Sequence, residues 1–137
     1  MRQAKSAQRL MTVPGVGGVV ALSYQTALET PARFGGDAGR ASAYLGLVPS
    51  EHSSGEGHRK GAITKAGPRM VRSLLVQAAW TLWRQRHRVR QLYAWVEQVA
   101  ARRGKRIAVI ALARRVSRIL YAMWRDQTVF RCEAAAA

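Results

Sequence analysis

Along much of this chain the apolar residues recur at spacings of three and four, the pattern of helices that bury one face. The second half shows it most clearly. Val71, Leu74, Leu75, Ala78, Ala79 and Leu82 form one stripe, following Pro68, a residue well suited to the first position of a helix. Val89, Leu92, Val96 and Val99 form a second, which Gly104 should end. Val109, Leu112, Val116, Leu120 and Met123 form a third, predicting a helix from about Arg106 to Asp126. Between the first two, Arg84, Arg86, Arg88 and Arg90 alternate, and a helix break is expected there.

The first half is more punctuated. Residues 1–11 read as the end of a helix. "TVPGVGG", Thr12 to Gly18, interrupts it, because Pro14 and the glycines break a helix and allow close backbone approach. Helical character resumes from Val19 to Glu29. Pro31 and the Gly35-Gly36 pair mark a loop. Asp37 is placed to cap a short helix running to about Leu45, with Gly46 as its terminator. Phe34, Tyr44, Leu45 and Leu47 are expected in or beside the core. Pro49 to Gly67 is polar and glycine-rich, a loop or irregular hairpin whose one strand-like piece is Ala62-Ile63-Thr64.

The fold class expected is therefore mainly α. It comprises a helix-hairpin-helix-like start, an irregular basic Gly/Ser loop and then a small helical bundle. The divisions are the end of a linker helix (1–11), a core domain (12–83), a basic helical part (84–130) and a disordered tail (131–137).

Charge changes the picture most. The chain of 137 residues carries 23 Lys and Arg against 7 Asp and Glu, a formal net charge of +16. Such a surface attracts polyanions, nucleic acid first among them. The single cysteine, Cys132, permits no internal disulfide and suits a reducing compartment. No signal peptide is legible, and Val16 to Leu22 is too short to span a bilayer. A cytoplasmic protein with no membrane partner is expected. The carboxylates Glu29, Asp37, Glu51, Glu56, Glu97, Asp126 and Glu133 are scattered, whereas a two-metal nuclease needs them clustered. No metal is expected to bind this chain.

Two segments could carry chemistry. In the first, Gly15, Gly17 and Gly18 sit in a turn between helices, where backbone N–H groups could meet a phosphate; an ordinary helix-helix turn has the same outline. In the second, "PSEHSSGEGHRKGAITKAG", Ser53 and Ser54 supply hydroxyls, and Arg59, Lys60, Lys65, Arg69 and Arg72 supply positive charge. Gly55, Gly57 and Gly61 supply access, while His52, His58 and Glu51 are candidate proton acceptors. Attack on a phosphodiester needs such a set. Phosphate-binding serines in a plain loop would look similar. Arg69 and Arg72 fall on the first turns of a helix, where cations oppose the dipole, which points to a binding role. Arg114, Arg118 and Arg125 fall opposite the last apolar stripe, a solvated face or a second polyanion contact.

The blocks "LMTVPGVGGVVA" (10–21), "RFGGDAGRASAYLGLVPSEHSSG" (33–55) and "GAITKAGPRMVRSLLVQAAW" (61–80), in this order and spacing, resemble the C-terminal transposase domain of the serine-type, bridge-RNA-guided insertion-sequence transposases of bacteria. The resemblance covers about residues 8–83. It implies a DNA recombinase in which a serine attacks DNA and becomes covalently linked to it. Ser54 occupies the matching Ser-Gly position, with Ser53 as second choice. It also implies DNA, a bridge RNA and further copies of the chain as partners. Pro68 stands where that family commonly has Asn or Asp. Family members carry an N-terminal RNase-H-like domain whose acidic residues bind Mg²⁺. The present sequence is expected to lack that domain and its Mg²⁺, as a truncated form. The alternative expectation is a non-catalytic nucleic-acid-binding remnant of such a transposase. A third is a small RNA-binding or ribosome-associated protein.

Overall fold

The structure, a computed structural model, describes residues 2–47 and 66–131, with side chains from 4 to 47 and from 68 to 131. The described residues are mainly helical: α1 (Arg2–Leu10), α2 (Gly18–Leu28), α3 (Ala38–Tyr44), α4 (Ala66–Arg84), α5 (Arg90–Arg103) and α6 (Lys105–Asp126). Short 3-10 turns, Pro31–Phe34 and Arg86–Arg88, sit before α3 and before α5. The strand-like piece expected at residues 62–64 lies outside the described residues, as does the tail from 132.

Helix α6 is the hub, packing against α1, α3, α4 and α5, while α2 lies on α1 and α4. The apolar stripe explains this. Val109, Leu112, Val116, Leu120 and Met123 are all buried, joined by the small residues Ala108, Ala113 and Ser117. Small side chains let neighbouring backbones approach, so one helix can carry several neighbours. The α4 stripe behaves in the same way at Val71, Leu75, Ala78, Ala79 and Leu82, although Leu74 is only half-buried. Pro68 is the third residue of α4 rather than the first. It costs the helix nothing there, because the N–H groups of the first turn have no intrahelical partner.

Asp37 caps α3 as expected, its Oδ1 accepting from the Gly39 N–H at 2.8 Å and the Arg40 N–H at 3.4 Å. Gly46 follows the helix at φ +77°. The segment after Thr30, expected as a loop, contains a 3-10 turn that ends at Gly35. Pro31 pre-sets its first φ, and Phe34 is buried against the rings of Tyr44 and Tyr121.

Few polar groups enter the core. The Tyr24 hydroxyl donates to the Ser117 carbonyl at 2.9 Å, and Ser42 and Ser117 pair through their hydroxyls at 3.2 Å. These tie α2 and α3 to the middle of α6. Gln25 is fully buried, and its amide has no partner among the described residues.

Candidate nucleic-acid interface

The glycine turn between α1 and α2 divides into two parts. Gly15 has φ +93°, and a Cβ there would meet the Ala78 carbonyl oxygen of α4 at 2.7 Å. It is the point where the turn's backbone presses on α4. Gly17 and Gly18 have nothing within 4 Å of an added Cβ. They open the first turn of α2, and Gly17 offers no side-chain cap to the amides that follow. The turn thus has an inner face that packs and an outer face that is open.

A second glycine, Gly46, lies at the end of α3. At φ +77°, a Cβ would fall 2.5 Å from Nη1 of Arg72. The Arg72 guanidinium therefore lies across the backbone just before the serine segment. Arg69, one turn earlier on α4, is exposed. Neither arginine pairs with a carboxylate among the described residues. Beside Arg72 an open groove of about 440 Å³ is lined by Gly46, Leu47, Val76, Trp80 and Ile110. Helix α4 organises both features. Ala78 and Arg72 are six residues apart, about 9 Å along the axis and about a third of a turn around it. The glycine turn and the Gly46–Arg72 contact consequently meet α4 on different sides.

Ser53, Ser54, Arg59, Lys60 and Lys65 lie outside the described residues, with the candidate bases Glu51, His52 and His58. The described chain reaches Leu47 before them and resumes at Ala66 after them. Arg72 is in contact range of the first flank, at Gly46, and stands on the helix that begins at the second.

The face of α6 opposite its apolar stripe, expected as a solvated face or a second polyanion contact, is partly engaged within the fold. Nε of Arg114 donates to the Leu47 carbonyl at 2.9 Å. Nη1 of Arg125 donates to the Gly36 carbonyl at 2.8 Å, while its Nε and Nη2 grip Asp126. This pairing holds the exposed Asp126 carboxyl below its ordinary range. Both arginines tie down carbonyls flanking α3, because α3 packs on α6. Arg118 remains exposed. Other cations are engaged by aromatic rings, a role that spacing does not reveal. Arg33 lies 4.6 Å from the ring centre of Tyr44, Arg86 3.8 Å from Trp83 and Arg115 4.6 Å from Trp95. Arg86 also pairs with Glu97, and Arg33 with Glu29.

One group of cations escapes a reading of helix faces because it sits at helix ends. Helix α5 ends at Arg103 and α6 begins at Lys105, joined only by Gly104 at φ +95°. Residues 101–107 are all exposed. The run "RRGKR" is the signal that marks them in the sequence.

No three His, Cys, Asp or Glu side chains converge among the described residues. No described helix is long and apolar enough to cross a membrane.

The described residues form a strongly basic helical bundle with two glycine contacts organised on α4. The family follows from sequence comparison: residues 7–94 match the model of the transposase IS116/IS110/IS902 family, and the chain belongs to that family. It is 34% identical over 128 residues to the transposase for insertion sequence element IS1111A of Coxiella burnetii, covering 93% of this chain and 35% of that protein. It is 34% identical over 126 residues to a probable family 20 transposase of Pseudomonas aeruginosa, covering 90% and 37%. The transposase for insertion sequence element IS1328 of Yersinia enterocolitica is 33% identical over 129 residues, covering 92% and 38%. The chain thus spans little more than a third of the length of these relatives. No solved structure matches it.

Proposed function

We propose that this chain is the DNA-joining part of an insertion-sequence transposase, with Ser54 as nucleophile. The observation that carries the proposal is the family match over residues 7–94, which runs through the serine segment. The guanidinium of Arg72 against Gly46, at the edge of that segment and without a carboxylate partner among the described residues, supports it.

The Ser54 Oγ attacks a DNA phosphorus. An O–P bond forms to the serine, the bond to one deoxyribose oxygen breaks, and that oxygen leaves as a hydroxyl, taking its proton from water. The serine proton passes to a base, for which Glu51, His52 and His58 are the candidates. The phosphoserine link conserves the bond energy, and a hydroxyl from the incoming strand reverses the step and releases the serine. Charge builds on the non-bridging oxygens as phosphorus becomes five-coordinate. Arg59, Lys60, Lys65, Arg69 and Arg72 are the groups assigned to meet it. Gly17 and Gly18, open at the start of α2, are assigned to a neighbouring phosphate in the manner of a helix-hairpin-helix turn. Gly15 supports that turn from beneath, through its contact with α4. DNA, a guiding RNA and further copies of the chain are the proposed partners, in the cytoplasm. Any Mg²⁺ belongs to a separate domain.

The test is covalent capture. The purified chain is mixed with end-labelled donor and target DNA, with and without a separately supplied acidic N-terminal domain and guide RNA, then denatured and run on a gel. Label should move with the protein, vanish in Ser54→Ala and persist in Ser53→Ala. Intact, salt-sensitive DNA binding with no covalent product under any condition would instead identify a non-catalytic binding remnant.

A further inference from the structure

We infer that the tip where α5 meets α6 is a second DNA contact, which grips the phosphate backbone of a duplex through Arg102, Arg103, Lys105 and Arg106. This inference rests on the reading that the chain acts on DNA. It concerns a surface beyond residues 7–94, the part that the family model covers.

All four side chains are exposed, and none pairs with a carboxylate among the described residues. That sets them apart from Arg33, Arg86, Arg115 and Arg125, each held by a ring or a carboxylate. Gly104 brings the two pairs together. With a single residue between the helices, the four cations fall within five consecutive positions, at the end of α5 and the start of α6. The local energetics do not favour this. Like charges crowd one another, and Lys105 and Arg106 sit in the first turn of α6, where the helix dipole favours anions. No acidic residue occupies that turn. A cost that the fold does not recover is recovered by an external polyanion, which also releases its counterions.

The chemistry at the tip selects the kind of polyanion. Proteins that hold single strands stack bases on aromatic rings. Residues 101–107 contain none: the others among them are Ala101, Gly104 and Ile107. Cations without stacking surfaces fit a duplex, whose bases are turned inward and whose phosphates line the outside. The contact positions DNA without reading its sequence.

The test compares the intact chain with the variant Arg102→Gln, Arg103→Gln, Lys105→Gln, Arg106→Gln. Affinity for a short fluorescent DNA duplex of arbitrary sequence is followed through a salt titration. Circular dichroism should be unchanged, since every altered side chain is exposed. The slope of log affinity against log salt should become shallower by about three to four, close to one for each phosphate no longer neutralised. A second reading locates the contact. In a Cys132→Ser background, a photo-crosslinker on Ala101→Cys should capture the duplex, and one on Ala32→Cys should do so far less. An unchanged slope with equal crosslinking at both positions would overturn the inference while leaving the serine chemistry standing. Tip-dependent binding to an RNA duplex but not to DNA would also overturn it. An intact chain that binds DNA with no salt dependence would overturn this inference and the reading beneath it together.

Discussion

At the scale of single residues, two glycines a few positions apart do opposite work. Gly15 is needed for the fold, because its φ of +93° and its contact with the Ala78 carbonyl both exclude a side chain. Gly15→Ala should destabilise the protein by about 2–4 kcal/mol, from backbone strain plus overpacking. Gly17 has an ordinary φ of −100° and open space around it. Gly17→Ala should change stability by less than about 1 kcal/mol. Urea denaturation of the two variants checks the contrast. Tyr24 makes a different point. Burial holds its phenol well above the ordinary value of 10.0. Below about pH 10 the phenol is protonated in both folded and unfolded chains, and its contribution is fully present. Above that, the unfolded chain releases the proton while the folded chain keeps it, so stability falls as pH rises. Tyr24→Phe should cost about 1 kcal/mol at neutral pH through the lost bond to Ser117. It should also flatten the alkaline limb of a plot of stability against pH.

At the scale of elements, the helices were legible because periodicity and caps agreed. Asp37 is the simplest case: its side chain satisfies two amides at the start of α3. Asp37→Ala should therefore lower stability by about 1 kcal/mol, with a matching drop in thermal midpoint. The stripes of α4 and α6 were legible for the same reason, since a buried face leaves a spacing in the sequence. The 3-10 turn at Pro31–Phe34 was not. Its cause is tertiary, the seating of Phe34 between Tyr44 and Tyr121. The roles of Arg114 and Arg125 were hidden likewise. Spacing puts them opposite the apolar stripe, but only the packing of α3 on α6 brings the Leu47 and Gly36 carbonyls within their reach. Gln25 is a further case: nothing in its neighbourhood along the chain predicts a fully buried amide. Of the site, the glycine turn and the arginines of α4 could be read as candidates. The division of that turn into a packing face and an open face could not, because Ala78 lies more than sixty residues away.

At the scale of the whole molecule, charge and architecture answer each other. A net charge of +16 on 137 residues opposes compactness through self-repulsion. The bundle offsets part of this locally, setting arginines against aromatic rings and against carbonyls that flank α3. Among the cations not engaged in this way, the proposed reading assigns Arg69 and Arg72, beside the flanks of the serine segment, and the α5–α6 tip to a polyanion; Lys5, Arg90 and Arg118 are exposed as well. In the proposed function the two assigned grips would hold DNA while one serine exchanges strands. The claim that joins these features is the covalent link itself, and mapping the adduct tests it most directly. Protein captured on DNA is digested with nuclease and trypsin, and the peptides are sequenced by mass spectrometry. The account predicts a residual nucleotide on the peptide containing Ser54, at Ser54 and at no other hydroxyl. A nucleotide on any other residue, or none on a chain that binds DNA fully, would contradict it.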